Sequence, residues 1–345
     1  MSEEPLKIAV IGSGVAGLTA AYLLNKKHAV TLIEKEDRIG GHTRTLTLSE
    51  GPDAGLAVDT GFIVMNLRNY PNFTRLLKEL GVEIQKSCMT FSYHDAENNY
   101  GYAGTSLRGI LPDLSYLFKR RHIALVSDLI RFAFIGYKDL KSGYLNEKTL
   151  GDYLDERKFG FEFQNSYLFP MGAAIWSSPM QKMRDFPAEP YLHFLENHGL
   201  LRLINPSQWY TVKGGSHSYV KAIVNTLKQK PKLDTTLKKI VRPENALCEI
   251  HYNSGEIEYY DHIVIATHAD TALRLLGDPD PSEESRLSPW KYQDNRVILH
   301  TDTHFMPSKK ALWASWNFLR MESESHDQKD APVNVSYYMN RLQRL

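Results

Sequence analysis

The feature that most constrains this chain is Gly12-Ser13-Gly14-Val15-Ala16-Gly17, set between an apolar run, Lys7 to Ile11, and a helix-forming run, Val15 to Asn25. A short β-branched run without polar alternation reads as a buried parallel strand. Ala29 to Glu34 is a second such run, so the opening of the chain predicts a βαβ unit. In that frame each glycine has a mechanical task. The first permits the tight turn, the second lets backbone approach a pyrophosphate, and the third lets helix pack closely on strand. The helix start then offers free N–H groups and the positive end of its dipole to phosphates. Glu34 closes the second strand twenty residues after Gly14, where a carboxylate accepts hydrogen bonds from a ribose 2′-hydroxyl and repels a 2′-phosphate. The segment predicts a dinucleotide site that disfavours NADP; the bland alternative is a strand-to-helix turn with no ligand.

At 345 residues the chain has room for roughly two domains. Lys and Arg number 41 against 40 Asp and Glu, without the basic surplus of a protein that neutralises many phosphates, so nucleic acid is not an expected partner. Cys88 and Cys248 are far apart and lack metal-ligand spacing, which fits a reducing compartment without a disulfide framework. The acidic N-terminus does not read as a secretion signal, and the expected address is the cytoplasm. The thirteen histidines show no H-E-x-x-H spacing, and no G-x-S-x-G nucleophile elbow occurs, so neither a metal centre nor a hydrolase is expected.

Further along, Phe73, Leu76, Leu77 and Leu80 predict a helix ending at Gly81. Met89 to Tyr93, followed by Glu97-Asn98-Asn99, predicts a hairpin. Leu107 to about Asn197 is mainly helical in pattern. Strand character returns at Leu233 to Ile240, Cys248 to Tyr252, Ile257 to Tyr260 and His262 to Ala266. This order predicts two interleaved domains: residues 1–72 with 205–278 as the nucleotide domain, and 73–204 with 279–345 as the second. Within the helical region, Lys119-Arg120-Arg121 precedes the apolar stretch Ile123 to Tyr137, which Asp128 and Arg131 interrupt and which is too short to span a bilayer. The plainer reading is a core-facing helix with a solvated basic end; the alternative is a surface that leans on a membrane to reach a lipid-like substrate.

Arg38-Ile39-Gly40-Gly41-His42-Thr43 follows the second strand, and paired glycines let backbone come within hydrogen-bonding distance of a ligand. With that segment included, the run from Lys7 to Thr45 resembles the FAD-binding signature of the flavin amine oxidase superfamily, which also holds phytoene-desaturase-like and protoporphyrinogen-oxidase-like enzymes. Val58 to Phe62, Trp209 to Gly215, Leu237 to Ile240 and Asp261 to Thr267 resemble later family segments in the same order. Gly41-His42-Thr43, Ala266-Thr267-His268 and Leu299 to Asp302 are similar to a bacterial subgroup of NAD/FAD-binding proteins.

The resemblance implies an α/β fold with a Rossmann-type FAD-binding domain and an interleaved α+β substrate domain. It implies that Gly12, Ser13, Gly14, Ala16 and Gly17 hold the pyrophosphate of FAD, and that Glu34, beside Lys35, holds the adenosine ribose. Gly41, His42 and Thr43 then touch the phosphate-ribityl arm, Gly61, Phe62, Ile63 and Val64 lie along the flavin, and the Leu237 backbone meets the adenine. His42 stands where many members have arginine. Asn295 to His300 matches a strand on which many amine oxidases carry a lysine near flavin N5, and it offers none. The chain also stops at Leu345, just after Val333 to Tyr338 reads as the start of a strand, which suggests truncation relative to the family. The implied activity is that of an FAD-dependent oxidoreductase taking a hydride from a small, apolar or amphipathic, lipid-like substrate. The alternatives are a flavin amine oxidase, an NAD-dependent dehydrogenase, or a truncated non-catalytic FAD-binding protein. Oligomeric state is not legible.

Overall fold

The computed structural model describes residues 4–201, 207–244, 246–292, 294–320 and 334–345. In chain order the first elements are β1 (Lys7–Ile11), α1 (Val15–Leu24), β2 (Ala29–Ile33), β3 (Thr45–Thr47), β4 (Ala57–Asp59), β5 (Met65–Asn66) and α2 (Pro71–Glu79). Then come β6 (Ile84–Ser87), β7 (Phe91–Asp95), β8 (Tyr100–Ala103), α3 (Leu107–Ile110), α4 (Arg120–Ser142), α5 (Leu150–Glu156), α6 (Phe161–Phe163), α7 (Phe169–Trp176) and α8 (Ala188–Asn197). The chain continues through β9 (Trp209–Val212), α9 (His217–Val224), β10 (Leu237–Val241), β11 (Cys248–Tyr252), β12 (Ile257–Tyr260), β13 (His262–Ile265), α10 (Ala269–Leu275) and α11 (Pro281–Leu287). It closes with β14 (Trp316–Arg320), β15 (Val335–Tyr337) and α12 (Met339–Leu342). The predicted βαβ opening, the α2 helix and the β7–β8 hairpin all form.

Two compact units result: Met1–Ile63 with Phe73–Ile84 and Val212–Ile298, and Val64–Asn72 with Gln85–Thr211 and Leu299–Leu345. The interleaving is finer than the expected boundaries. Residues 73–84, expected in the second domain, belong to the first unit, as do residues 279–298. The expected boundary after residue 204 lies outside the described residues.

In the first unit β13, β1 and β2 form a parallel sheet in that order. Val10 lies between Leu32 and Val264 in register. Parallel strands are apolar on both faces because both are covered: Ile8 to Ile11 and Val30 to Ile33 are buried throughout, and Leu18 and Ala21 of α1 are fully buried. Ala9, Ile11 and Ile33 share a core with Ile240 and Ile250 of the antiparallel β10-β11-β12 sheet and with Tyr260 and Leu275. β10 begins at Leu237 rather than at Leu233 as expected. The segment before it runs along the edge of β2, with Lys232 N–H donating to Leu32 O and Thr235 N–H to Glu34 O. Asp234, at φ +50°, turns the chain away.

The second unit is built on a β15-β14-β7-β8 sheet in which β14 runs parallel to β7, with Phe318 opposite Tyr93. Its aromatic core includes Tyr93, Tyr102, Phe163, Phe169 and Tyr191. Half-buried Trp176 packs against this core, on Phe186, Tyr191 and Phe194 at 4.8 to 5.0 Å. β15 bears out the strand character read near the C-terminus, although Val333 itself lies outside the described residues.

Two expectations are corrected. Asn295 to His300 is not a strand, and Val297, Ile298 and Leu299 are exposed. An apolar run forms a strand only when another strand satisfies its backbone groups, and among the described residues none pairs with it. The stretch Ile123 to Tyr137 lies inside α4 and is not simply core-facing: Leu125 and Phe132 are buried, but Ile123, Ile130, Phe134 and Tyr137 are exposed. Its sequence is apolar on two sides, and one helix face suffices for the core. No helix among the described residues is long and apolar enough to cross a membrane.

Candidate functional site

The loop between β1 and α1 carries the predicted glycines, and the structure separates their reasons. Gly12 has φ +95°, a left-handed conformation that L side chains rarely adopt; its N–H donates to Ile33 O at 2.8 Å. A Cβ on Gly17 would sit 1.8 Å from Gly12 O, so helix α1 packs against the turn at a distance only glycine allows. Gly14 differs from both. Its φ of −64° and ψ of 176° suit any residue, and a Cβ there would meet nothing within 4 Å. Neither its backbone angles nor a Cβ contact with the described residues requires glycine at Gly14. The space it leaves lies at the N-terminus of α1, which has no side-chain cap and no acidic residue in its first turn, where helix amides and dipole attract an anion. Ala16 lies exposed in that first turn.

Glu34 is pinned beside this turn. Its Oε2 accepts the Ser13 hydroxyl at 2.6 Å and the Ser13 N–H at 2.8 Å, and Oε1 accepts the Glu36 N–H at 3.1 Å. Burial acts to raise the Glu34 carboxyl, but these bonds, Ser13 first, outweigh it and hold the group below its ordinary value. Ser13 in turn binds the glycine pair, since Gly40 N–H donates to both its carbonyl and its Oγ at 3.1 Å. Lys35 points outward and lies 3.5 Å from Glu36.

The Gly40-Gly41 segment closes over the turn. Both glycines have positive φ, a Cβ on Gly41 would lie 3.1 Å from Gly14 Cα, and Arg38 donates to Gly41 O at 3.0 Å. His42 is exposed and stacks on His268 (5.4 Å, 21°), which itself stacks on Tyr292 (4.1 Å, 2°). Thr43 is buried, with its hydroxyl bonded to Tyr219. Gly61 lies against the His42 backbone: a Cβ would fall 1.9 Å from His42 O, and Phe62 N–H donates to the same oxygen at 3.1 Å. Ile63 ends one segment of the first unit, and Val64 begins a segment of the second. Leu237 is half-buried at the start of β10.

Sequence reasoning missed one cluster. Asp59 is buried and accepts Thr45 Oγ1 at 2.5 Å and the Ser216 N–H and hydroxyl at 2.9 Å, while His217 N–H donates to Thr45 Oγ1 at 2.9 Å. Burial pushes the Asp59 carboxyl up against the lowering effect of those bonds. Ser216 and His217 lie more than 150 positions from the residues they bind here, and only the bare presence of Asp between apolar Val58 and a glycine turn hinted at it. The cluster ties the β3–β4 hairpin to the turn at Gly215, where a Cβ would strike Thr45 at 2.6 Å. Replacing Asp59 with alanine would leave the buried Ser216 N–H and the half-buried Thr45 hydroxyl without this acceptor, while the Ser216 hydroxyl keeps Phe62 O at 2.9 Å. It is expected to cost about 3 kcal/mol, seen as a fall of several degrees in melting temperature.

A family model described as flavin containing amine oxidoreductase matches residues 15–342. The chain belongs to that family. FAD is accordingly its cofactor, and the residues present fit it: an open cradle at Gly14 for the diphosphate, an uncapped helix start, and an ionised carboxylate suited to ribose hydroxyls. Among curated relatives, coproporphyrinogen III oxidase of Staphylococcus aureus is 24% identical over 308 residues, covering 80% of this chain and 63% of the relative. The L-amino-acid oxidase of Bungarus fasciatus is 47% identical over 45 residues, covering 13% of this chain and 9% of the relative. Among solved structures, a wild-type putrescine oxidase bound to putrescine aligns at a TM-score of 0.61 with 14% identity, covering 82% of this chain and 63% of that one. A fatty acid isomerase from P. acnes aligns at 0.57 with 18% identity, covering 83% and 64%. These structures establish an amine-oxidase type of fold for this flavoprotein family member. The chain spans less than two thirds of the length of these relatives.

Proposed function

We propose that this protein is an FAD-dependent oxidoreductase that takes a hydride from an apolar or amphipathic small molecule. The observation that carries the reading is the Gly14 space beside a Ser13-pinned Glu34. In this reading Gly12, Ser13, Gly14, Ala16 and Gly17 receive the diphosphate, and Glu34, flanked by Lys35, accepts the adenosine ribose hydroxyls. Gly41, His42 and Thr43 contact the phosphate-ribityl arm, Gly61 to Val64 run beside the flavin, and the Leu237 backbone meets the adenine. When bound, FAD supplies the hydride acceptor, its N5. The protein's part is to hold the cofactor: α1 faces its N-terminal amides to the diphosphate, and Thr43 is fixed by Tyr219 so that its backbone keeps one position. Glu34 disfavours a 2′-phosphorylated nucleotide by like charge.

Glu34→Gln is expected to weaken FAD binding about 10- to 100-fold, because hydrogen bonds to a charged acceptor contribute about 1.5–3 kcal/mol. The pH dependence has a definite sign. Since the carboxyl of Glu34 is held below its ordinary value, its contribution is complete above the free-chain value of about 4.3 and is lost only as pH falls through the lower, folded-state value. FAD affinity measured by flavin fluorescence should be flat from about pH 8 to about pH 5 as far as this group governs it.

Amine oxidation is the second reading, favoured by the putrescine and amino-acid oxidases among the relatives. The lack of lysine between Asn295 and His300 carries no weight against it, because that segment is not a strand. Anaerobic mixing with unsaturated lipid-like compounds and with primary amines, following flavin bleaching, separates the two. A flavin that neither class of compound bleaches, and that once reduced by light is reoxidised by no acceptor, would contradict both.

A further inference from the structure

The outward face of α4 is unlike the solvent face of an ordinary amphipathic helix, which is polar or charged. Ile123, Ile130, Phe134 and Tyr137 succeed one another at seven, four and three residues, which keeps them on one side of the helix, and all four are exposed, Phe134 to 71%. Ser127 lies on the same face, so from Ile123 to Tyr137 it carries no charge over almost four turns. The apolar exposure continues in the chain that leads into α4: Leu107 and Leu114 are each 80% exposed and Phe118 is 83% exposed.

The exposed charges that α4 itself places around this face are of one sign, and Glu196 of α8, which lines a recess with Phe134 and Tyr137, is paired with Arg68 at 3.1 Å. Arg120 lies exposed at its N-terminal end, beside Lys119, and Lys138 and Lys141 lie exposed at its C-terminal end. The acids of the helix are turned inward and matched. Asp128 is buried, accepts Arg131 at 2.5 Å and Gly160 N–H at 2.7 Å; Asp139 is buried, accepts Arg157 at 2.6 and 2.8 Å and the Tyr153 hydroxyl at 3.1 Å. Arg131 also donates to Arg157 O at 2.5 Å, which draws it along the surface rather than across the apolar face. Asp113, exposed in the leading segment, is paired with Lys309 at 3.3 Å.

We propose that α4 and the segment before it, residues 107–141, form a docking surface for an anionic lipid bilayer, with the apolar face entering the headgroup boundary and the flanking cations meeting lipid phosphates. The combination of an uncharged apolar face with cations at both ends matches an interfacial helix, and basic residues close to an anionic leaflet add to the attraction one by one. A protein partner would meet the same apolar face, but it would not call for cations at both ends with every acid of the helix withdrawn. The proposal is independent of the FAD reading. It locates, on the second unit, a surface on which a lipid-like substrate would be encountered.

Flotation of the full chain with vesicles tests it. Two compositions serve, phosphatidylcholine alone and phosphatidylcholine with about one third phosphatidylglycerol, each at about 0.05 M and about 0.5 M salt. Association with the anionic vesicles at low salt is expected, reduced at high salt. Phe134→Ser and the pair Arg120→Glu with Lys138→Glu should each lower partitioning by about tenfold, with melting temperature and flavin content unchanged because these side chains are exposed. No flotation with anionic vesicles at low salt would overturn the proposal, and so would equal flotation with neutral ones. A dimer in the ultracentrifuge that Phe134→Ser converts to monomer, without vesicle binding in either form, would assign the face to self-association instead.

Discussion

Replacing Gly14 by valine is expected to weaken FAD binding by at least about a hundredfold while leaving the fold intact. The separation follows from what surrounds the position. Its backbone angles are those of ordinary extended chain, and an added Cβ meets no atom within 4 Å, so the apoprotein should stay folded and melt only a few degrees below the parent, the main cost being the loss of glycine from the N-cap of α1. What the added methyls do occupy is the space in front of the α1 amides. A diphosphate displaced by even about 1 Å loses short hydrogen bonds to charged oxygens, each worth about 1.5–3 kcal/mol, and two such bonds account for the hundredfold. Calorimetric melting of the apoprotein and FAD titration of the same preparation check the two halves separately.

Gly17→Val is expected to do the opposite in order: the fold fails first, and FAD binding fails because of it. The Cβ would stand 1.8 Å from Gly12 O and 3.3 Å from Ala266 Cβ, both backbone-anchored neighbours at the point where α1 crosses the β1 and β13 strand ends. Relief requires α1 to move off the sheet, which would uncover the fully buried Leu18 and Ala21. Overpacking in a fixed site costs about 1–3 kcal/mol and occasionally more; with part of the α1 burial also lost, a cost of about 4 kcal/mol is expected. The chain should melt many degrees lower or accumulate insoluble, and saturating FAD should not restore the parent's melting temperature. The pair of variants distinguishes a glycine held for the ligand from a glycine held for packing, although both belong to one motif.

Much of this was legible in the sequence because it depends on local pattern. The β1, α1 and β2 elements announce themselves as unbroken apolar runs around glycines, and the turn reason for Gly12 and the packing reason for Gly17 could be assigned in advance. Glu34 could be placed at the strand end by counting. What could not be read was anything that joins distant parts of the chain. Thr43 meeting Tyr219 and Asp59 meeting Ser216 are contacts between residues more than 150 positions apart, and no periodicity encodes them. Asn295 to His300 failed for a related reason, since a strand is a property of two segments and only one was visible. In α4 the apolar stretch was read as one face because a single helix needs only one to pack. The structure shows that the surplus apolar residues lie outward, a distinction that helical spacing hints at but composition hides.

The most direct measurement of the central claim compares FAD with FMN as ligands of the apoprotein. FMN carries the flavin and one phosphate but lacks the adenosine half that the Gly12–Gly17 turn and Glu34 are assigned to hold. The account predicts stoichiometric, tight uptake of FAD, displacement by ADP, and FMN binding weaker by at least about a hundredfold. Equal affinity for the two flavins, or a protein that takes up neither, would contradict it.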